Sequence, residues 1–328
     1  MKLITIMLVT ISVAVLSSCK LQNQIPDLED HYQTLPSGET LHYYHTGNPS
    51  GKPILLLHGY PTSATLYRNI ITELCPDHSS EYQCIAVSMV GFGKSSCPGD
   101  GSMVSPLYEV EQLESFIQTL DLQNAAFVVH DWGGPIGTLA GLRNSDRFSH
   151  LAILNTILEF PEFPILEQAM GLTADFFAQP RPILEALYPQ AMSAAIQAMT
   201  TAYLSQDVLK QYRAPFQANQ DNSKTLANCR IHAGINLFAK GHSDKTLFFE
   251  IAQLAPEVWS QKPARFFWST NDPLLGSKSI IGRAAHADME KLFPHAATVS
   301  IESASHFLQE DKPAEIARGI QDFLEQTQ

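Results

Sequence analysis

The chain has 328 residues, of which 45% are hydrophobic and 16% charged, enough for one large domain with an insertion or for two small ones. Its formal net charge is -12 and it contains no run of lysine or arginine, so it lacks the basic footprint that a nucleic-acid binder needs.

In chain order, Lys2 comes first as a short positive segment, followed by an apolar or small stretch from Leu3 to Leu16. That stretch is too short to span a bilayer and reads as a signal peptide over residues 1–18. Leu16-Ser17-Ser18-Cys19 resembles the bacterial lipobox, which implies cleavage before Cys19 and lipidation of its sulfur. An ordinary secretory signal with a chance cysteine is the alternative. Lys20 after the cysteine implies outer-membrane sorting, so the expected location is the periplasmic face of the outer membrane, with residues 19–30 as a polar tether. An oxidising compartment permits disulfides among Cys75, Cys84, Cys97 and Cys229, with three full pairings; Cys75–Cys84 is the local choice. No Cys/His cluster suggests a metal. His42 and His45 fall on a predicted strand, Thr40 to Thr46, and read as surface histidines.

Apolar runs then alternate with helical patterns. Strands are expected over Pro53 to His58, Gln83 to Met89, Ala125 to His130, Leu151 to Asn155, Ala264 to Ser269 and Ala297 to Ile301. Helices are expected over Ala64 to Leu74, over Leu107 to Leu120, and from about Pro135. Strands that are apolar throughout and separated by helices predict a parallel sheet covered on both faces. From Thr156 to about Lys245 the strand signal disappears and helical spacing takes over, as in Leu184-Leu187 and Ala195-Met199. The expected organisation is a core of residues 31–155 and 246–328, with a helical cap at 156–245.

Five motifs each follow a predicted strand: His58-Gly59-Tyr60-Pro61, Gly91-Phe92-Gly93, His130-Asp131-Trp132-Gly133-Gly134, Asn271-Asp272-Pro273 and Ser305-His306-Phe307. That puts them at the carboxyl edge of the sheet, where open α/β folds place ligands. Gly91-Phe92-Gly93-Lys94-Ser95 is not a phosphate loop, because Ser88 stands where a Walker glycine is required; it reads as a tight turn. Asp131 lies where strand turns sharply into helix, a place that lifts a nucleophile above the sheet. A carboxylate there forms an ester on an alkyl carbon, and water can hydrolyse that ester; a serine ether could not be reopened. The chemistry indicated is therefore at a saturated carbon, such as a carbon–halogen bond or an epoxide.

The order nucleophile, acid, histidine resembles that of the α/β-hydrolase superfamily over nearly the whole mature chain. Within it the sequence looks most like the haloalkane dehalogenases, with epoxide hydrolases close behind. The resemblance implies Asp131 as nucleophile, His306 as the base that activates water, and Asp272 as the acid that orients His306. Glu159 is a weak rival for the acid, and Asn155, at the end of an earlier strand, cannot hold the charge. Backbone N–H groups of Tyr60 and Trp132 would form the oxyanion hole, and the Trp132 indole would bind halide. No cofactor or metal is expected; the substrate would be a small apolar organic molecule.

The leaving-group site gives mixed signals. Val129, Leu154-Asn155-Thr156, Tyr212-Arg213-Ala214-Pro215-Phe216 and Phe307-Leu308-Gln309-Glu310-Asp311 look dehalogenase-like. Tyr60 replaces the Asn expected of a dehalogenase, and the cap has no tryptophan, since the three are Trp132, Trp259 and Trp268. Asn236 or a cap tyrosine (Tyr188, Tyr203, Tyr212) is the candidate second donor. The expectation is a haloalkane dehalogenase; the alternatives are an epoxide hydrolase with the same triad and a non-catalytic lipid-anchored binder.

Overall fold

The computed structural model describes Asn23 and residues 25–159, 179–218, 223–243 and 245–327. The signal peptide and Cys19 lie outside the described residues. Eight strands form one sheet: β1 (Asp30–Thr34), β2 (Thr40–Gly47), β3 (Lys52–Leu57), β4 (Tyr82–Val87), β5 (Ala125–His130), β6 (Phe148–Leu154), β7 (Ala264–Ser269) and β8 (Ala297–Ile301). Their order is β1-β2-β4-β3-β5-β6-β7-β8; β2 pairs antiparallel with both β1 and β4, and every other pairing is parallel.

The central strands are buried on both faces, which is why they read as continuous apolar runs. Alternate residues feed two separate layers. Leu55, Leu57, Phe127, Val129, Ile153 and Phe266 face one side. There they meet α2 (Pro106–Thr119), α3 (Gly133–Arg143), α7 (Thr246–Val258) and α8 (Ile280–Leu292). Ile54, Leu56, Ala126, Val128, Leu154 and Phe267 face the other side, toward α1 (Arg68–Leu74) and α10 (Pro313–Gln326). Register brings the carboxyl ends level, with Leu57 opposite Val129, His130 opposite Leu154, and Ser269 opposite Ile301.

Between β6 and β7 the described residues hold no strand. Three helices there, α4 (Arg181–Ala198), α5 (Gln206–Arg213) and α6 (Lys224–Ser243), are called the cap below. Leu184, Tyr188 and Met192 of α4 and Ile231 of α6 form an apolar cluster with Phe216, in the turn after α5. Among the described residues no helix is long and apolar enough to cross a membrane.

One stretch with no expected element is a strand, and one expectation changes. The polar stretch Asp30–Thr34 is a strand, alternately exposed and half-buried at the sheet edge, where pairing with β2 sets its conformation. His42 is buried, not at the surface: it contacts Asp30 at 2.9 Å and Ser88 at 3.2 Å, and burial lowers its pKa to about 4 despite the carboxylate.

Cys75–Cys84 is disulfide-bonded, clipping the end of α1 to β4, and the remaining two cysteines pair as Cys97–Cys229. The second bond ties α6 to the segment after β4 across 132 residues. Around it Arg230 donates to Ser95 O (2.9 Å) and Asn236 to Gly101 O (3.0 Å). Gly101 allows this approach, since a Cβ there would lie 2.4 Å from Cys229 O. Closing so long a loop restricts the unfolded chain, so Cys97→Ser with Cys229→Ser should lower unfolding free energy by up to about 5 kcal/mol. Denaturant titration of the wild-type and double-variant proteins checks this; an unchanged midpoint would refute it.

Candidate active site

Strand β5 ends because Asp131 takes a left-handed conformation (φ 51°), and α3 begins two residues later. The pair Gly133-Gly134 permits the sharp turn. A Cβ on Gly133 would lie 2.3 Å from His58 O, and one on Gly134 would lie 2.0 Å from Thr156 Oγ1. The elbow is braced by Thr156 Oγ1 donating to Asp131 O (2.6 Å) and by Asp131 N donating to Asn155 O (3.2 Å).

The two carboxylate oxygens of Asp131 have different partners. Oδ1 accepts from the Tyr60 backbone N–H at 2.7 Å, and the Trp132 N–H also donates to the carboxylate. Oδ2 lies 3.3 Å from His306 Nε2. Gly59 lets the loop after β3 approach this closely, because a Cβ there would fall 2.2 Å from Oδ1. His58 shapes that loop: its Nδ1–H donates to Gly59 O (2.8 Å) and its Nε2 accepts from Met89 N (3.0 Å). Those partners fix a neutral tautomer, and burial lowers its pKa to about 4.

On the far side of His306, Nδ1 contacts Asp272 Oδ2 at 2.7 Å. Asp272 is held in turn, its Oδ1 accepting from Leu274 N (2.9 Å) and Leu275 N (3.0 Å). Asn155 Nδ2 donates to Asp272 Oδ2 at 3.2 Å, while Asn155 Oδ1 accepts from Ser269 N at 2.9 Å. His130 Nε2–H donates to His306 O at 2.9 Å.

The electrostatics follow from this packing. Burial alone would raise the Asp131 carboxyl, but the hydrogen bond and charge of His306 and the Trp132 N–H outweigh it, and its pKa falls below the ordinary value. The same balance lowers Asp272, where burial is outweighed by His306 and the two loop N–H groups. Burial would lower His306, but Asp272 and Asp131 on its two sides push it up to about 10. The resting site is thus an imidazolium between two carboxylates.

The loop carrying His306 is fixed from the cap side. The buried carboxylate of Glu310, in the short helix α9 (Leu308–Asp311), accepts from Arg68 Nη2 at 2.9 Å and from the Tyr212 hydroxyl. Asp311 accepts from Ser305 N and from Ala202 N, both at 2.7 Å. The two sequence motifs around Tyr212 and Phe307 therefore meet here, holding cap and core together.

The predicted residues Tyr60, Asp131, Trp132, Asp272 and His306 converge, while Glu159 is exposed. The candidate second donors separate. Asn236 is turned to Gly101 O, Tyr203 is exposed, and Tyr212 belongs to the Glu310 cluster. Only Tyr188 reaches a site residue, donating to the Tyr60 hydroxyl at 3.0 Å. Tyr60 in turn donates to Met192 Sδ at 3.2 Å. Trp259 and Trp268 lie in the core, and Trp132 is buried against Phe248. The roles of Asn155, Thr156 and His130 escape sequence reasoning, since each acts through a backbone or amide contact that spacing does not announce. Among the described residues no group of three His, Cys, Asp or Glu side chains is placed to hold a metal.

Residues 52–313 match the alpha/beta hydrolase fold family. Haloalkane dehalogenase 2 of Mycobacterium tuberculosis is 30% identical over 285 residues, covering 85% of this chain and 90% of the relative. A cis-3-alkyl-4-alkyloxetan-2-one decarboxylase of Shewanella oneidensis is 26% identical, covering 89% of this chain and 87% of its own length. The crystal structure of a haloalkane dehalogenase from Bradyrhizobium elkani has the same fold, with a TM-score of 0.73 over 92% of this chain and 99% of that one at 22% identity. The chain belongs to the alpha/beta hydrolase fold family and is a haloalkane dehalogenase-like hydrolase within it, which sets aside the non-catalytic binder.

Proposed function

We propose that the protein hydrolyses the carbon–halogen bond of a small apolar haloalkane, acting outside the cytoplasm as a lipoprotein anchored through Cys19. The observation that carries the catalytic reading is the division of the Asp131 carboxylate, with Oδ1 held by the Tyr60 N–H and Oδ2 turned to His306. Oδ2 attacks the carbon, the carbon–halogen bond breaks, and halide leaves beside the Trp132 indole N–H, a pure donor. The ester carbonyl oxygen then lies where Oδ1 already accepts the Tyr60 N–H, so the hole is formed before it is needed. Esterification also removes the negative charge of Asp131, one of the two groups that raise His306. Its pKa drops, it releases its proton, and it can take one from water attacking the Asp131 carbonyl carbon. The oxyanion forms on Oδ1; as it collapses the carbonyl carbon–Oδ2 bond breaks, and His306 gives the proton taken from water to Oδ2, which leaves as the alcohol oxygen. The export reading is supported by the Leu-Ser-Ser-Cys signal and by two disulfides, which persist in oxidising compartments.

One observation favours a second reading, the opening of a strained oxygen ring such as an epoxide. The Tyr60 hydroxyl accepts from Tyr188 and spends its own proton on the weakly accepting sulfur of Met192. Burial, then the neighbouring Tyr188, hold the Tyr60 phenol well above its ordinary pKa, so it stays a donor at any working pH. A phenol can donate to a nascent alkoxide, and it can equally serve as the second halide donor. The deciding experiment is intact mass of His306→Phe after exposure to a bromoalkane and to an epoxide in parallel. Without the base the ester accumulates. An alkyl adduct from the bromoalkane establishes dehalogenation, a hydroxyalkyl adduct from the epoxide alone establishes the second reading, and no adduct from either refutes both.

A further inference from the structure

Helix α4 has an outer face that water does not explain. From Ala186 through Gln206 the chain carries no charged side chain, although its net charge is -12. Exposed helix faces of soluble proteins normally carry charge. Here Ile183 (47% exposed) and Leu187 (51%) stand one turn apart, followed outward by Gln190, Ala194 and Ala198. The run ends in a turn that presents Tyr203, 73% exposed.

The N-terminal tether is fastened to that same turn. Asn23 Nδ2 donates to Tyr203 O at 3.1 Å, and Asn23 Oδ1 accepts from Ser205 N at 2.5 Å. Cys19 is four residues earlier. Four extended residues reach about 14 Å at most, so acyl chains on Cys19 would root within that distance of the turn. A tether pinned so close to its anchor leaves the protein little freedom to present another side.

We propose that the outer face of α4 and the Tyr203–Ser205 turn rest on the bilayer that holds Cys19, so that the cap faces the membrane. This rests on the lipoprotein reading above. An uncharged face suits the interface, and an exposed tyrosine, apolar in body and polar at its tip, suits the headgroup level. The inner face of the same helix carries Tyr188 and Met192, which contact Tyr60. Helix α4 therefore lies between the bilayer and the nucleophile, and an apolar substrate dissolved in lipid enters from the side on which it concentrates.

The test uses the full chain, processed in a bacterial host and reconstituted in phosphatidylethanolamine vesicles with or without nitroxide-labelled acyl chains, a quencher that carries no halogen. Trp132, Trp259 and Trp268 are all buried, so an added surface tryptophan reports its own depth. Tyr203→Trp and Leu187→Trp should lose emission in the nitroxide-labelled vesicles. Gln123→Trp, exposed just before β5 at the opposite end of the sheet, should not. Protein that is lipidated on Cys19 and floats with the vesicles, yet shows equal quenching at all three positions or none at Tyr203 and Leu187, overturns the orientation alone. Absence of lipid on Cys19 by intact mass overturns the orientation together with the anchor, and turnover of a bromoalkane by the same sample is scored separately.

Discussion

Replacing Asp131 with alanine is expected to lower bromoalkane turnover by about 10⁵-fold or more, to the level of the uncatalysed reaction. Nothing else at the site can substitute. The other buried carboxylate there, Asp272, has both oxygens engaged, one by two loop N–H groups and the other by His306 and Asn155. Water in the space left by the carboxylate would sit beside His306, but that imidazole is placed to serve attack on the carboxyl carbon of Asp131, not on the substrate carbon one bond beyond Oδ2. Alanine in the left-handed region costs about 1–2 kcal/mol, so the variant should still fold. Halide release followed by ion electrode, with circular dichroism to confirm folding, checks both points. A second readout is isotopic. A single wild-type turnover in ¹⁸O water should place the label in Asp131 and not in the alcohol, since the alcohol oxygen was Oδ2. Retained turnover in the folded variant, or label in the first alcohol, would move the nucleophile away from Asp131.

The parts of this site that were legible in the sequence are those set by strand ends. Ala125–His130 and Ala264–Ser269 are largely apolar, Ala297–Ile301 alternates apolar with polar residues, and the limits of all three agree between sequence and structure. Asp131, Asp272 and His306 follow them and so share one edge. What lies a contact further out was not legible. Asn155 could be read as incapable of holding charge, but its role as the donor that steadies Asp272 depends on β6 lying beside β7 at a particular register. The Tyr60–Tyr188 contact joins residues 128 apart and depends on how the cap settles. The edge strand β1 was missed because its sequence, Asp-His-Tyr-Gln-Thr, has no apolar period; its partner β2 supplies the order that its own side chains do not. His42 was misplaced for the complementary reason: a histidine on a polar-looking strand gives no sign of the Ser88 and Asp30 groups that make burial tolerable.

Asp272→Asn should separate the two halves of the reaction. Because Oδ1 of residue 272 is anchored by the Leu274 and Leu275 N–H groups, the asparagine must keep its oxygen there and turn its NH₂ to His306. The imidazole then accepts at Nδ1 and carries its proton on Nε2, the wrong tautomer to take one from water. The same NH₂ meets the Asn155 amide, donor against donor, where 3.2 Å now separates donor from acceptor. Loss of the carboxylate also lets burial lower His306 from about 10, so the imidazolium that stabilises Asp131 is lost. The Tyr60 and Trp132 N–H groups still hold the nucleophile ionised, so attack on carbon continues while ester hydrolysis falls by about 10⁴-fold. The expected trace is a burst of one halide per protein followed by near-silence, with the alkyl adduct visible by intact mass. In the wild-type protein the halves should separate with pH as well. Asp131 sits below its ordinary value, so alkylation should be flat from about pH 5 to 9. Hydrolysis, which needs neutral His306, should weaken as pH falls through the pKa of the esterified site. Steady halide release at the wild-type rate in Asp272→Asn would mean that His306 takes its orientation from elsewhere.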